Sequence, residues 1–369
     1  MVGPTPTTDS ISTEKIDELI QAAYNMRVRD LSKSIHIAED ALQKCSKIDY
    51  PSGNAKLKNH LSLFHFIRCE FEKSLKYAYD ALAYYEEIGE KCGIALSKYN
   101  IGSTYYRTDN FSKGLIYMLQ SIKIFEELND FHNLARVLKS TGTVYEYFQD
   151  YENAEHAYQK CIEASRKTGD TNSESNAYNP LSGLYLKQGK IEIASELIEK
   201  SIAMKTQSGD RRGLAFAIYG RAKVFTKQKK YDLAERDFSE SLALHEESGD
   251  KLGLCMVCNK IGQSYFLMND FDKSRKFLLR ALEQAKQLQI SIIAIKAYYQ
   301  LYLLEKHEGN LKDSFEYLEK YLQLREAVVS TETLHVIKSY EEKSKIEGLE
   351  IEARVQREKE RSSKIKMLN

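Results

Sequence analysis

Tryptophan is absent from this chain of 369 residues, and proline occurs only four times. With 18 glycines as the other chain breaker, little material is left for long structureless loops. The opening stretch, Met1 to Ser10, has neither a cationic end nor an apolar centre, so it does not read as a secretory signal. No run approaches the roughly 18 consecutive apolar residues that a membrane-crossing helix needs. The six cysteines, Cys45, Cys69, Cys92, Cys161, Cys255 and Cys258, are scattered, which fits reduced thiols better than a disulfide framework. Charge of one sign is lacking too. Lys plus Arg number 54 against 53 Asp plus Glu, a formal charge of +1, so bulk attraction to nucleic acid is disfavoured. These absences lead us to expect a soluble, cytoplasmic protein without a nucleic-acid or membrane partner.

What is present is apolar and periodic. Hydrophobic residues make up 42% and charged residues 29%, a composition that folds. The length exceeds what one compact core usually supports, which leaves several domains or an open repeat array. The pairs at 169–170, 209–210 and 249–250 are all Gly-Asp, with Asn129-Asp130 and Gly89-Glu90 one and two steps earlier; the signal decays at Gln289-Ile290. Between two helices such a pair has a physical role: Gly or Asn tolerates the left-handed turn that ends one helix, and Asp caps the free amides of the next.

Other positions keep the same step of 40 residues. Tyr105, Tyr145, Tyr185, Phe225 and Tyr265 recur, as do Phe71, Phe111, Tyr151, Ile191, Tyr231, Phe271 and Leu311. Small residues recur at Ser74, Gly114, Ala154, Ala194, Ala234, Ser274 and Ser314, and again at Ser62, Gly102, Gly142, Ser182, Ala222 and Gly262. Within one period, Leu134, Val137, Leu138, Thr141, Gly142, Tyr145 and Phe148 fall at helical spacing, followed after a short turn by Ala154, Ala157, Tyr158, Cys161 and Ile162. Each period therefore reads as two antiparallel helices. One pair alone cannot bury its apolar faces, whereas stacked neighbours can.

The run small–x–x–aromatic (Gly102 to Tyr105, Gly142 to Tyr145, Gly262 to Tyr265), then the turn aromatic, then the small residue three later, resembles the tetratricopeptide repeat. The period is longer than the usual ~34 residues, and the usual Trp and closing Pro are missing. Longer units of this kind are similar to those of Pins-type scaffold proteins, bacterial peptide receptors and the input regions of bacterial signalling enzymes. The resemblance implies an all-α fold, a right-handed superhelical solenoid of antiparallel helix pairs. It also implies a function of binding a protein or peptide in the concave groove, without catalysis or cofactor. The sensory or regulatory region of a signal-transduction protein is the leading reading. A self-contained peptide-pheromone receptor, or a scaffold or adaptor, is the alternative.

The expected organisation is a disordered 1–12, a capping helix pair over 13–48, seven units over 49–330, and a charged helix over 331–369. That last segment carries Glu341/Lys345, Glu350/Arg354 and Glu360/Lys364 four apart, the order that supports a helix. Its apolar stripe is too broken for a stable coiled coil. It reads either as a solvated cap on the last unit or as a helix pairing two chains, a homodimer contact that resembles connectors in bacterial signalling proteins.

No phosphate loop, metalloprotease spacing or nucleophile motif is present. Cys255 and Cys258 form a CxxC inside a helix without a second ligand pair, so packed thiols are expected rather than a metal site. His60, His65 and Cys69 do not share one helical face cleanly. A repeat-scaffold phosphatase would need acids converging from the N-terminal helices, and Glu14, Asp17 and Glu18 form no such constellation.

Mapping the groove face of the resembling family onto the first helix of each period selects the ladder Asn59, Tyr99, Lys139, Asn179, Tyr219, Asn259 and Tyr299. Amides pair with a peptide backbone, and Tyr offers contact area with a polar tip. Asn100, Arg136, Lys223, Lys260 and Gln263 are neighbours of that ladder. Arg136, Lys139, Lys223 and Lys260 would form a cationic lane, which favours an acidic segment or a chain-terminal carboxylate as ligand. Pro180 lies inside a helical pattern, so that helix is expected to begin late, near Asn179, or to kink.

Overall fold

The structure is a computed structural model that describes residues 12–27, 30–108 and 110–328. The segments expected to be a disordered start and a charged C-terminal helix lie almost wholly outside these residues. Among the described residues the secondary structure is entirely helical. The first pair is α1 (Thr13–Met26) and α2 (Leu31–Cys45). Seven pairs follow, here called units 1 to 7. They are α3 (Pro51–Ile67) with α4 (Phe71–Ile88), α5 (Lys91–Arg107) with α6 (Phe111–Leu128), and α7 (Phe131–Tyr147) with α8 (Tyr151–Thr168). Next come α9 (Thr171–Lys187) with α10 (Ile191–Ser208), and α11 (Arg211–Lys227) with α12 (Tyr231–Glu247). The last two are α13 (Lys251–Leu267) with α14 (Phe271–Gln287), and α15 (Ser291–Glu308) with α16 (Leu311–Val328).

The small residues mark where the two helices of a unit cross. A Cβ added at Gly102 would lie 2.8 Å from the Gly114 carbonyl oxygen, and one at Gly142 would lie 2.6 Å from the Tyr158 ring. Where the small residue is serine it also bonds the partner backbone: Ser182 Oγ donates to Ala194 O, and Ser274 Oγ to Gly262 O, both at 2.8 Å. Close approach and hydrogen bonding thus come from the same position, and the flanking aromatics fill the remaining volume.

The links between units are built as the Gly-Asp pairs imply. Gly89, Asn129, Gly169, Gly209, Gly249 and Gln289 all have positive φ. Asp130, Asp170, Asp210 and Asp250 then each accept the amide three residues on, closing the next helix N-terminus. Ile290, where the sequence signal decays, makes no side-chain cap. A second left-handed series lies inside the units, at Cys69, Gln149, Gly189, Lys229, Asn269 and Gly309.

Helix α9 runs unbroken from Thr171 through Pro180 to Lys187, with Asp170 as its cap. The expected late start near Asn179 is thereby corrected. Proline has no amide hydrogen, so the carbonyl one turn earlier loses its helical partner; the flanking packing of Tyr178, Leu181 and Leu184, all buried, offsets that loss.

Successive odd-numbered helices touch one another, while successive even-numbered ones show no comparable contact. The odd helices are therefore the inner wall of the curve and the even ones its outer wall. The curve is tight enough to meet itself. Phe111, at the start of α6, is fully buried in a cluster with Ile292 and Ile295 of α15, along with Tyr106, Tyr147 and Phe148. Phe71, Phe66 and Cys69 of unit 1 likewise pack with Leu252, Cys255 and Met256 of α13. Side chains of units 6 and 7 thus reach the turns of units 1 to 3 across the groove, and the space they enclose with the odd-numbered helices is here called the lumen. No described helix is long and apolar enough to cross a membrane.

Candidate functional site

The ladder on the odd helices divides into two kinds of residue. Asn59, Asn100 and Asn259 are buried and bond within the array, although Nδ2 of Asn59 is buried without a partner. Asn59 Oδ1 accepts from Ser97 Oγ at 3.0 Å, Asn100 Nδ2 donates to the Asn59 carbonyl at 3.0 Å, and Asn259 Nδ2 donates to Ile293 O at 3.3 Å. These three bonds tie neighbouring inner helices together. Asn179 is half-buried against Gly220, where an added Cβ would meet its Oδ1 at 2.6 Å. Tyr99 joins α5 to α7, its hydroxyl 3.1 Å from Ser140 Oγ and its ring 5.4 Å from the Arg136 guanidinium. Tyr299 is exposed beside Tyr302 and Tyr321, and Gln263 is half-buried.

The second kind is cationic. Lys139, Lys223 and Lys260 touch solvent only partly and have no hydrogen-bond or ion-pair partner among the described residues. Burial drives the ammonium groups of Lys139 and Lys223 down to about 8 and lowers that of Lys260 as well. Lys296 adds a fourth, pushed by burial to about 7 although its side chain meets solvent. Solvent contact combined with desolvation is what a concave wall produces, where neighbouring helices crowd a charge that water still reaches.

Lys223, Lys260 and Lys296 share one region. Lys223 feels Lys260, Glu146 and Lys187; Lys260 feels Lys187 and Glu146; Lys296 feels all three, and Arg107. Glu146 is the carboxylate at the centre. Burial would raise it, yet Lys187, at 2.7 Å, with Lys223 and Lys296 nearby, holds it below its ordinary range. Lys296 Nζ lies 5.8 Å from the Tyr147 ring centre, and Lys223 Nζ 5.2 Å from that of Tyr219. The Tyr219 hydroxyl is buried without a partner, as is Nε of Arg107.

Glu146, Lys187, Arg107 and Lys296 were not on the sequence ladder. Lys296 stands four periods after Arg136, so stepping the Arg136 register forward would have found it; Arg107, Lys187 and Lys227 share a second cationic register with Tyr147 between them, and Glu146 follows none. Toward the N-terminal end, His60 stacks on Tyr24 at 4.8 Å and is driven to about 4 by burial and by Arg27 and Arg136, which keeps it neutral.

The remaining chemical candidates sit elsewhere. Cys255 and Cys258 are buried in α13, their thiols pushed by burial up to about 12 and 11. His65 pairs with Glu70 at 2.6 Å, and Cys69 is a left-handed turn residue. Asp17 accepts the Tyr50 hydroxyl at 2.8 Å, while Glu14 and Glu18 are exposed. A shallow outer pit between Tyr50 and Tyr84, about 310 Å³, gathers none of the lumen groups.

The tetratricopeptide-repeat family profile matches residues 93–167, 134–207 and 213–287, together about half of the chain. No curated protein sequence matches. Among solved structures, a Rap protein complexed with competence and sporulation factor has a TM-score of 0.64 at 11% identity, covering 86% of this chain and 99% of that one. NprR in complex with its cognate peptide NprX gives 0.61 at 17% identity, with 90% and 97% covered. The apo form of the quorum sensor NprR from B. thuringiensis gives 0.52 at 15%, with 89% and 97% covered. At these identities the likeness is one of fold. The stacked helix pairs and the matched profile agree, and the chain belongs to the tetratricopeptide repeat family.

Proposed function

We propose that this chain is a peptide-binding regulatory module, without catalytic activity of its own, that receives a partner segment in its lumen. The observation that carries the reading is the set of unpartnered lysines Lys223, Lys260 and Lys296 gathered around Glu146, with Lys139 a further desolvated and unpartnered lysine that shares Arg107 with Lys296. Leaving a charge desolvated and unpaired costs free energy, so such a set is expected where a ligand supplies the counter-charge. The favoured ligand is accordingly an acidic segment or a chain end bearing a free carboxylate. Similarity of fold to NprR, solved with a cognate peptide, and to a Rap protein, solved with a signalling factor, supports a peptide as the occupant and signalling as the setting. A sensory region acting on a further domain and a self-contained receptor both use the lumen in this way.

The test is selection of displayed random peptides on the full chain. Enrichment of Asp and Glu is expected, together with loss of capture by Lys139→Glu/Lys223→Glu at unchanged helical content. Selection of neutral or basic sequences, or capture that survives the double reversal, would overturn the reading.

A further inference from the structure

Four ammonium groups, Lys187, Lys223, Lys260 and Lys296, surround one carboxylate, Glu146. They come from α9, α11, α13 and α15, and Glu146 from α7, so five consecutive inner helices converge on one station. Only Lys187 is paired with Glu146. Arg107 of α5 flanks the group and lies close enough to act on Lys139 and Lys296. The phenolic neighbours are Tyr147, Tyr219 with its unpartnered hydroxyl, and Tyr158, which donates to Glu146 at 3.3 Å. Among the described residues, Glu146 is the carboxylate that acts on Lys223, Lys260 and Lys296.

A single carboxylate would answer one of the three unpaired ammonium groups and leave the others repelling each other in confined water. The station is also built from lysines. An ammonium is a point charge that can approach an oxyanion from any direction, so several of them can share one multiply charged group without the fixed planar geometry of a guanidinium. We propose that the lumen station around Glu146 receives a phosphoryl group, carried on a peptide or as a small polyphosphate, whose multiple negative charges answer Lys223, Lys260 and Lys296 together. This rests on the lumen being the ligand site and specifies what that ligand carries there.

Binding then has a proton signature. Burial lowers both Lys296 and Lys223 toward pH 8, so each is partly neutral in the free chain at that pH. A bound polyanion favours the charged forms, so the complex takes up protons, and affinity weakens as pH rises above about 8.

Calorimetry on the full chain at pH 8, in two buffers of different ionisation enthalpy, tests this. The probes are a short peptide with two phosphoserines, its Glu and Ser counterparts, and tripolyphosphate. The phosphopeptide is expected to bind at least about tenfold tighter than the Glu peptide, with net proton uptake. Tripolyphosphate matching it would assign the group to a small polyphosphate; much weaker binding would assign it to a peptide. Lys223→Met/Lys260→Met should abolish the preference without unfolding the chain, because neither lysine holds a partner, and Glu146→Gln should strengthen phosphate binding. Equal affinity for the phospho and Glu peptides, or absence of proton uptake, overturns the inference. If acidic peptides selected by display still bind, the peptide-receptor reading stands without it.

Discussion

Closure of the curve on itself makes a quantitative prediction. Ile292 and Ile295 of α15 are 4% and 6% exposed, and their buried partner is Phe111, more than four units back along the chain. The opposite face of α15, with Ala297, Tyr298, Leu301 and Leu304, packs within units 6 and 7. Ile292→Ser/Ile295→Ser therefore strips the seam while leaving the hairpin its own core. Burying each isoleucine contributes about 1.5–3 kcal/mol, so the pair contributes roughly 3–6 kcal/mol, a factor of about 10² to 10⁴ between closed and open forms. The second seam patch is weakened by adding Cys69→Asp. That position has φ 62, which Asp tolerates, and the new carboxylate would face Asp250, a charge that Cys69 already feels. Small-angle scattering of the triple variant should give a larger radius of gyration than the parent, with far-UV circular dichroism unchanged. An unchanged radius with intact helicity would refute the closed lumen.

Further expectations follow from the same geometry. Lys229 sits at φ 59 in a within-unit turn, so Lys229→Gly should raise stability by up to about 1 kcal/mol in denaturant titration. Lys139, Lys223 and Lys296 have folded values below that of an unfolded lysine, so the unfolded chain binds more protons between about pH 8 and 10. The melting temperature of the ligand-free chain should accordingly rise across that window, and a fall there would contradict the unpaired lumen charges. At the acid end, Asp170, Asp210 and Asp250 are held below their ordinary values. Burial acts against ionisation, but the hydrogen bonds and cations around each carboxylate outweigh it. Their contribution is present above about pH 4 and is lost as pH falls through the folded values. Asn259→Ala should lower stability by about 1–3 kcal/mol while leaving peptide capture intact, since its amide bonds Ile293 O within the array. Light scattering with and without residues 331–369 tests whether that segment pairs two chains: a halved mass on removal is expected from pairing, and equal masses per chain would refute it.

Much of the fold was legible because a period of 40 residues repeats small, aromatic and capping positions whose roles are local. Gly169-Asp170 announces a helix end and a helix start wherever it stands, and Gly102 and Gly114 announce a close crossing. The within-unit left-handed turn was not legible. Its occupants are Cys69, Gln149, Gly189, Lys229, Asn269 and Gly309, so nothing but the geometry repeats. Pro180 misled for the opposite reason: a strong local rule was overridden by packing on both sides of α9. At the candidate site, the sequence ladder gave no sign of which side chains bond to a neighbouring helix. Asn59 accepts from Ser97 and Asn259 donates to Ile293 O, contacts set by how closely the inner helices approach. The grouping of Lys296 with Glu146 depends on curvature, which brings unit 7 back toward unit 3, and curvature is the sum of small rotations that no single residue encodes.

The most direct measurement uses a display-selected acidic peptide with a photoreactive residue at its centre, cross-linked to the full chain and mapped by mass spectrometry. Cross-links confined to the lumen-facing sides of α7, α9, α11, α13 and α15 are predicted. Cross-links on the outer, even-numbered helices would contradict the account.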